Sequence, residues 1–587
     1  MRRIPIHVWC LVLLSAGLQI VIFPLPSLYW FSWVAVAPLL VAILRARAPE
    51  TLQLQLDGHS SSQARLLPAT PWQGFVLGYM CGILWFAGTC YWVFDTMHRY
   101  GGLPIPAALL ALILFCMYVG LYHGMFGLLL ALVAGTRIYG SRNSLSKHAG
   151  AKSSKSKAES KTSLTGASIR RALVVAPFLW VASELARTRI TAFPWELLGY
   201  AQTGNFALTR IATLTGVYGL SFEIALVNTV FAAAFLVPKD FPQKALKERR
   251  NWLLMAAACG AAVILQAGQW LSPPAVATDR TAILVQPNIP IQDGALWTQQ
   301  FFQDTLHDLT AVSLHPPGAK PALQQSRTSP DVFHPSYNLI VWPESPAPFF
   351  TNDPLFQNAV SDLAMHSGTW VVAGAVGITP AMHSGGNSSQ IFNSAELVSP
   401  GGEWIGRYDK VHLVPFGEYL PFPKLFAFAG GLTKEVGEFQ RGESRTPLNA
   451  GGQRLGMFIC YESVFPDEVR QFPLAGAQVL VNISNDGWYG DSGAWKQHLQ
   501  QTQMRAIENE HWLLAGTNTG MTASIDPYGR IVAATPRKVR TALAAPYALS
   551  TGTTFYTRHG DWFAYLCAII SAGAILARFV FSNGGYD

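Results

Sequence analysis

LGMFICYE, residues 455–462, is a β-like apolar run that ends on Cys460 and continues into Tyr461 and Glu462. Similar short runs recur around it at Thr281–Gln286, Leu339–Trp342, Trp370–Ala375, Val479–Ile483 and Trp512–Thr517. Helical patterns lie between several of them, as at 298–313 and 494–510. Strands alternating with helices over this length predict an α/β domain across 272–561.

Outside that stretch the composition changes. The 587 residues are 50% hydrophobic and only 13% charged, whereas soluble domains carry about a quarter charged residues. A helix needs about 20 apolar residues to cross a bilayer. Runs of that kind lie near 8–25, 28–46, 73–95, 104–134, 171–188, 211–237, 252–271 and 562–581. They predict about eight transmembrane helices, seven in a membrane domain over 1–271 and the last in 562–587, followed by a short tail. The fifth run is interrupted by Pro177 and Glu184. An ionisable residue inside a span is a functional candidate by default, although Glu184 is close enough to the helix end to reach water.

Lys and Arg crowd into 136–171, against the single acid Glu159, and into 238–251, with a few more in 45–72. The loops 96–103 and 188–210 are sparsely basic. The positive-inside rule makes the basic loops cytoplasmic. Both termini are then cytoplasmic and 272–561 faces outward, away from the cytoplasm. The net charge of +8 is spent on topology and not on a nucleic-acid face, so no nucleic-acid partner is expected. The Ser/Lys-rich stretch 141–165 reads as a disordered linker.

Six of the seven cysteines lie in apolar runs, and only Cys460 lies in the polar stretch. It has no partner there for a disulfide. No paired-cysteine zinc spacing, His pair or Gly-rich phosphate loop is present, so no metal or cofactor is expected. His412 and His498 stand alone and read as hydrogen-bonded structural residues.

Three residues follow β-like runs: Glu344 after LIVWP, Lys410 within RYDKVHLVPFGE, and Cys460. Strand ends of α/β domains are where sites form. Acyl transfer through a thioester needs a nucleophilic sulfur, a base for its proton and a cation for the oxyanion. Taken singly, each has a plain alternative: buried cysteines are mostly structural, and a lysine or glutamate at a strand end is mostly solvated.

Their order, within WPE, YDKVHLVPFGE and ICYE, resembles the nitrilase superfamily. The match extends to its membrane-bound branch, the apolipoprotein N-acyltransferases. SNDGWYG at 484–490, the run from Gln497-His498 to Met504-Arg505-Ala506, and FPW…GYAQ at 193–202 look like the same branch. The resemblance implies an αββα sandwich beside the membrane helices. It implies that a phospholipid donates an acyl chain to Cys460, and that the N-terminal α-amine of a diacylated apolipoprotein then takes it. Glu344 would be the general base, Lys410 the oxyanion stabiliser and Cys460 the nucleophile. Glu418 would hold Lys410, while Tyr461 and Glu462 would shape the pocket beside the sulfur. Trp297 and Trp195 match tryptophans placed near substrate, though either can equally be an interfacial or packing residue. His511 departs from the family, which usually has arginine there. Pro421–Leu432, apolar and containing Gly430-Gly431, reads as a mobile lid or as ordinary core. Two other readings share parts of this pattern: a membrane-anchored amidase with the same triad, and a transporter or receptor with an inactive domain. The amidase would not need seven helices before the domain, and inactivity would require the loss of a triad residue.

Overall fold

A computed structural model describes residues 4–47, 67–135, 153–236, 244–291, 297–316, 337–379, 389–420 and 439–583. Two six-stranded sheets form the α/β domain. The first runs β12-β1-β2-β3-β4-β5, with β1 Arg280–Gln286, β2 Leu339–Val341, β3 Trp370–Thr379, β4 Gln390–Val398, β5 Trp404–Asp409 and β12 Thr541–Tyr547. The second runs β11-β10-β9-β8-β7-β6, with β6 Leu448–Ala450, β7 Gln453–Ile459, β8 Val479–Ser484, β9 Leu513–Thr517, β10 Ala523–Ile525 and β11 Ile531–Ala534.

Alternation along the strands builds the layers. Leu284, Leu339, Val341 and Val372 of the first sheet share one core with Leu455, Met457, Val479 and Val481 of the second. Their neighbours Ile283, Val285, Ile340 and Val371 face the other way, onto helices Gln299–Leu314 and Pro354–Ser367. The outer face of the second sheet is covered by helix Ala494–Asn509, whose Leu499 and Ala506 pack into the same apolar cluster from that side. This is the expected sandwich. The six strand runs and both helices are present within a residue or two, β3 being longer; β5 was read only as the run before Lys410, while β4, β6 and β10–β12 were not anticipated.

One polar residue sits awkwardly in this core. Glu396 of β4 is opposite Arg407 of β5, but Arg407 turns to Asp409 at 2.8 Å. Burial therefore pushes the Glu396 carboxyl from 4.5 up to about 8, with Arg407 only partly opposing it. The folded chain keeps this proton while the unfolded chain loses it, so stability falls as pH rises from about 4.5 to about 8. Glu396→Gln should be the more stable protein at pH 9 and no more stable at pH 4.5, as thermal midpoints in detergent will show.

The membrane part is less regular than eight uniform runs. By length and composition, four described helices can cross a bilayer: Ile105–Ala134, Val217–Leu236, Arg250–Trp270 and Trp562–Val580. A fifth is available if Pro71–Thr89 and Trp92–Tyr100, bent by 55°, count as one span. The run at 8–25 gives a 16-residue helix, Ile6–Val21. The run at 28–46 breaks into a 3₁₀ turn, Tyr29–Trp33, and helix Ala37–Leu44. Residues 171–188 belong to a longer helix, Ser153–Ile190, that continues through Pro177. That helix takes in 153–165 of the expected linker; 141–152 lie outside the described residues. Helices Pro71–Thr89 and Ile105–Ala134 meet through glycines. A Cβ on Gly78 would stand 2.1 Å from the His123 carbonyl oxygen, an approach only small residues permit.

Helix Ala494–Asn509 is buried on both sides. Met504 and Ile507 join the core of the membrane helices. Its Gln497 donates to the carbonyls of Pro24 and Thr89, Arg505 donates to the Tyr200 hydroxyl, and Glu508 accepts from the Val217 amide. This polar-studded helix is one of the contacts that seat the sandwich on the bundle.

Candidate active site

β1, β2 and β3 run parallel, and two antiparallel steps through β4 return β5 to the same direction. β7, β8 and β9 are likewise parallel. Residues just beyond β2, β5 and β7 therefore emerge at the carboxyl ends of their strands, where α/β sites assemble. Those residues are Glu344, Lys410 and Cys460.

Lys410 is fully buried and its ammonium donates to Glu344 Oε1 at 3.1 Å and Glu418 Oε1 at 2.9 Å. Burial alone would push the ammonium toward neutrality, but Glu344, Glu418 and the nearby sulfur outweigh it and hold it well above the ordinary lysine value. Asn393 of β4 donates to both carboxylates, at 2.7 Å and 2.6 Å. The Asn485 amide fills Glu344 Oε2 at 2.8 Å, and the Val414 amide fills Glu418 Oε2 at 2.8 Å. Asn393 and Asn485 were not anticipated. The signal for Asn393 was a polar residue on an inward position of β4, a strand the sequence reading did not see.

Cys460 sits at φ +50, a left-handed backbone that a residue with a side chain adopts only when its surroundings insist. The sharp turn from β7 into the 3₁₀ helix Cys460–Val464 presents the thiol. Burial pushes that thiol up and Glu344 adds to the effect; Lys410 opposes them, and the net value is well above ordinary. The resting sulfur is therefore a thiol. A low-dielectric pocket already holding two carboxylates disfavours a third anion, so the proton has to leave as the sulfur attacks.

Glu462 does not line a pocket in the way expected. One oxygen accepts from the Val411 and His412 amides, the other from the Ile459 amide, and the Tyr408 hydroxyl bridges both. It staples the chain after Lys410 to the chain before Cys460. Tyr461 lies between sandwich and bundle, its hydroxyl 3.3 Å from the Ala192 carbonyl oxygen. Its ring lies parallel to Trp195, centroids 6.4 Å apart. Trp195 is wholly buried and donates from Nε1 to Gln497 at 2.7 Å. Trp297 is half-buried against Phe301 and the core under the first sheet; none of its described contacts reaches the triad.

Glu184 does not reach water. It accepts from the Trp180 indole and the Leu198 amide, while Arg187 donates to the carbonyls of Trp195 and Glu196. Together they hold the loop that carries Trp195. His511 is buried, with its two ring nitrogens 2.6 Å and 3.0 Å from the carbonyl oxygens of Asn509 and Ala477; it joins backbone, not an acid or a headgroup. The lid candidate 421–432 lies outside the described residues. No group of His, Cys, Asp and Glu suited to a metal occurs among the described residues.

The carbon-nitrogen hydrolase profile matches residues 324–554, and the profile of the apolipoprotein N-acyltransferase N-terminal domain matches 15–230. An apolipoprotein N-acyltransferase from Geobacter metallireducens is 32% identical over 98% of this chain and 96% of its own length. The chain belongs to the apolipoprotein N-acyltransferase family. A second member, from Methylococcus capsulatus, is 32% identical over 87% of this chain and 89% of its own. Among solved structures, a carbon-nitrogen hydrolase from Helicobacter pylori G27 aligns with 50% of this chain and 92% of its own at 17% identity and TM-score 0.32, too distant a likeness to bear on function. Family membership makes the chain an acyltransferase of the nitrilase superfamily.

Proposed function

We propose that this chain transfers a fatty acyl group from a phospholipid, through a thioester on Cys460, to the N-terminal α-amine of an S-diacylglyceryl-cysteine apolipoprotein. The observation that carries the reading is the Lys410 ammonium, clamped between Glu344 and Glu418 beside a buried sulfur on a strained turn.

Glu344 takes the thiol proton as the sulfur attacks the ester carbonyl. Lys410 sits where the oxyanion of the tetrahedral intermediate forms, and its charge is already desolvated and oriented. Collapse breaks the ester C–O bond, and Glu344 returns the proton to the leaving lysophospholipid. The α-amine then attacks the thioester and gives its proton to Glu344; collapse breaks the C–S bond to leave the amide, and Glu344 passes that proton to the departing sulfur, restoring the thiol. Glu418 keeps Lys410 in place, Glu462 fixes the spacing of Lys410 and Cys460, and Tyr461 forms the wall beside the sulfur. Trp195, through Tyr461, and Trp297 are assigned to the substrate side.

A donor with two acyl chains stays in the bilayer, since each CH₂ costs about 0.8 kcal/mol to extract. The buried helix Ala494–Asn509 and the Tyr461–Trp195 contact bring the cysteine turn against the apolar bundle, which suits such a donor. We assign 1–271 to the membrane domain, 272–561 to the catalytic domain on the periplasmic side of the inner membrane, and 562–587 to the last helix and a cytoplasmic tail. The N-terminus is also assigned to the cytoplasm, and no cofactor enters the scheme.

Intact-mass measurement of purified protein given phospholipid without acceptor tests the reading. The mass should rise by one acyl chain, and added diacylated lipopeptide should discharge it. Cys460→Ala should show neither, and a Cys460→Ala protein that still acylates lipopeptide would overturn the mechanism.

A further inference from the structure

A second set of buried polar groups reaches Cys460 without passing through Glu344 or Lys410. Ser484 closes β8, parallel to the strand that ends before Cys460. The register that pairs Ile459 with Ile483 sets Ser484 beside Cys460 on the adjacent strand, where it favours the thiolate, and its hydroxyl donates to Asp486 Oδ1 at 2.5 Å. The same Oδ1 lies 3.2 Å from Nδ1 of His498. The other nitrogen of that ring, Nε2, stands 3.1 Å from the Cys460 carbonyl oxygen and 2.8 Å from Ser463 Oγ. Ser484, Asp486 and His498 are each at least nine-tenths buried, so water does not substitute for any of them.

A serine has one hydroxyl proton to give. With the sulfur protonated, Asp486 is the stronger acceptor and holds it. Once the thiol proton has moved to Glu344, the thiolate competes, and a hydrogen bond to an ion is about twice as strong as a neutral one. Asp486 can release the hydroxyl at small cost because His498 Nδ1 already stands at the same oxygen. We propose that Ser484 is a further catalytic residue, a hydroxyl that turns from Asp486 to the Cys460 sulfur as the thiolate forms, with Asp486 and His498 as the positioning residues that make the turn possible. No proton changes owner in this step: serine keeps its own, and the thiol proton rests on Glu344. When the sulfur is acylated it becomes a poor acceptor, and the hydroxyl swings back. The same motion stabilises the thiolate as leaving group in the second half-reaction. His498, placed beside the Cys460 carbonyl, also braces the turn at φ +50.

The inference rests on Cys460 being the acyl-carrying nucleophile. Its test is the rate of iodoacetamide alkylation of Cys460 in detergent-purified full-length protein at pH 8, read by peptide mass spectrometry, which needs no lipid. Ser484→Ala should slow alkylation about tenfold, the equivalent of one ion-directed hydrogen bond, with its thermal midpoint unchanged. Ser484→Thr, which restores a hydroxyl, should recover most of the rate. Ser484→Ala alkylating at the wild-type rate would overturn the proposal, as would a Ser484→Thr protein that melts with the wild type yet recovers nothing. Absence of a thioester in the wild type would instead sink the reading of Cys460 itself.

Discussion

Lys410→Ala should lose at least about 10³-fold in N-acylation and melt well below the wild type. Both effects have one origin. The ammonium is the only described cation hydrogen-bonded to Glu344 and Glu418, which share it through their Oε1 atoms. Removing it leaves two buried carboxylates facing each other, and breaking a buried ion pair from one side costs about 3–5 kcal/mol. The carboxylates relieve this by taking up a proton. Glu344 then reaches the thiol already loaded and cannot act as base. Loss of a single oriented oxyanion donor costs about 10²–10³ by itself; loss of a competent base adds to it. Lys410→Arg should not rescue, because a planar guanidinium cannot place one donor at each Oε1 from the same point. The measurements are the initial rate with a diacylated lipopeptide and the thermal midpoint in detergent. A Lys410→Ala protein that forms the acyl adduct at near wild-type rate would remove lysine from the mechanism.

Glu462→Ala should be the more damaging change to the fold. Its two oxygens satisfy the amides of Val411, His412 and Ile459 and the hydroxyl of Tyr408, all at 2.7–3.0 Å. Each buried donor left unpaired costs about 1–3 kcal/mol, so the four together threaten a large part of a stability of about 5–15 kcal/mol. Glu462→Gln is the sharper test because it keeps the shape. The amide has one accepting oxygen and turns its NH₂ toward at least one backbone N–H. Its midpoint should fall less than that of the alanine variant, while activity still drops on the order of 10²-fold. Misplacement of reacting groups by about 1 Å costs that much, and Glu462 is what ties the lysine strand to the cysteine turn. A Glu462→Gln protein with wild-type midpoint and reduced activity would assign the residue to chemistry and not to spacing.

The triad, its chain order and the α/β character of 272–561 were legible because they are local. Each triad residue follows its own apolar run, and each run has a period of two or a buried strand's composition. Glu418 was legible for the same reason, standing eight residues after Lys410. Asn393 and Asn485 were not, because their importance lies in which carboxylate they meet across the sheets. The hydrogen-bond partners of Glu462 were hidden for a related reason: Tyr408, Val411 and His412 lie some fifty residues earlier in the chain, and only Ile459 is local. The membrane runs were legible as apolar composition, but composition does not say where a helix bends. Cys90 and Tyr91, after Thr89, mark the 55° bend in the third run, the first run ends as a helix at Val21 ahead of Pro24 and Pro26, and the second breaks between Trp33 and Ala37.

The sequence by itself determined the chemistry available, namely a sulfur, a carboxylate and an amine at strand ends, and the apolar composition of the helices that accompany them. Only the tertiary structure decided that the resting sulfur is a thiol, that Lys410 is shared by two acids, and that Ser484 and His498 stand beside Cys460. Strand periodicity is written in nearest neighbours, whereas charge balance and hydrogen-bond competition belong to groups that meet only after two sheets have closed on each other.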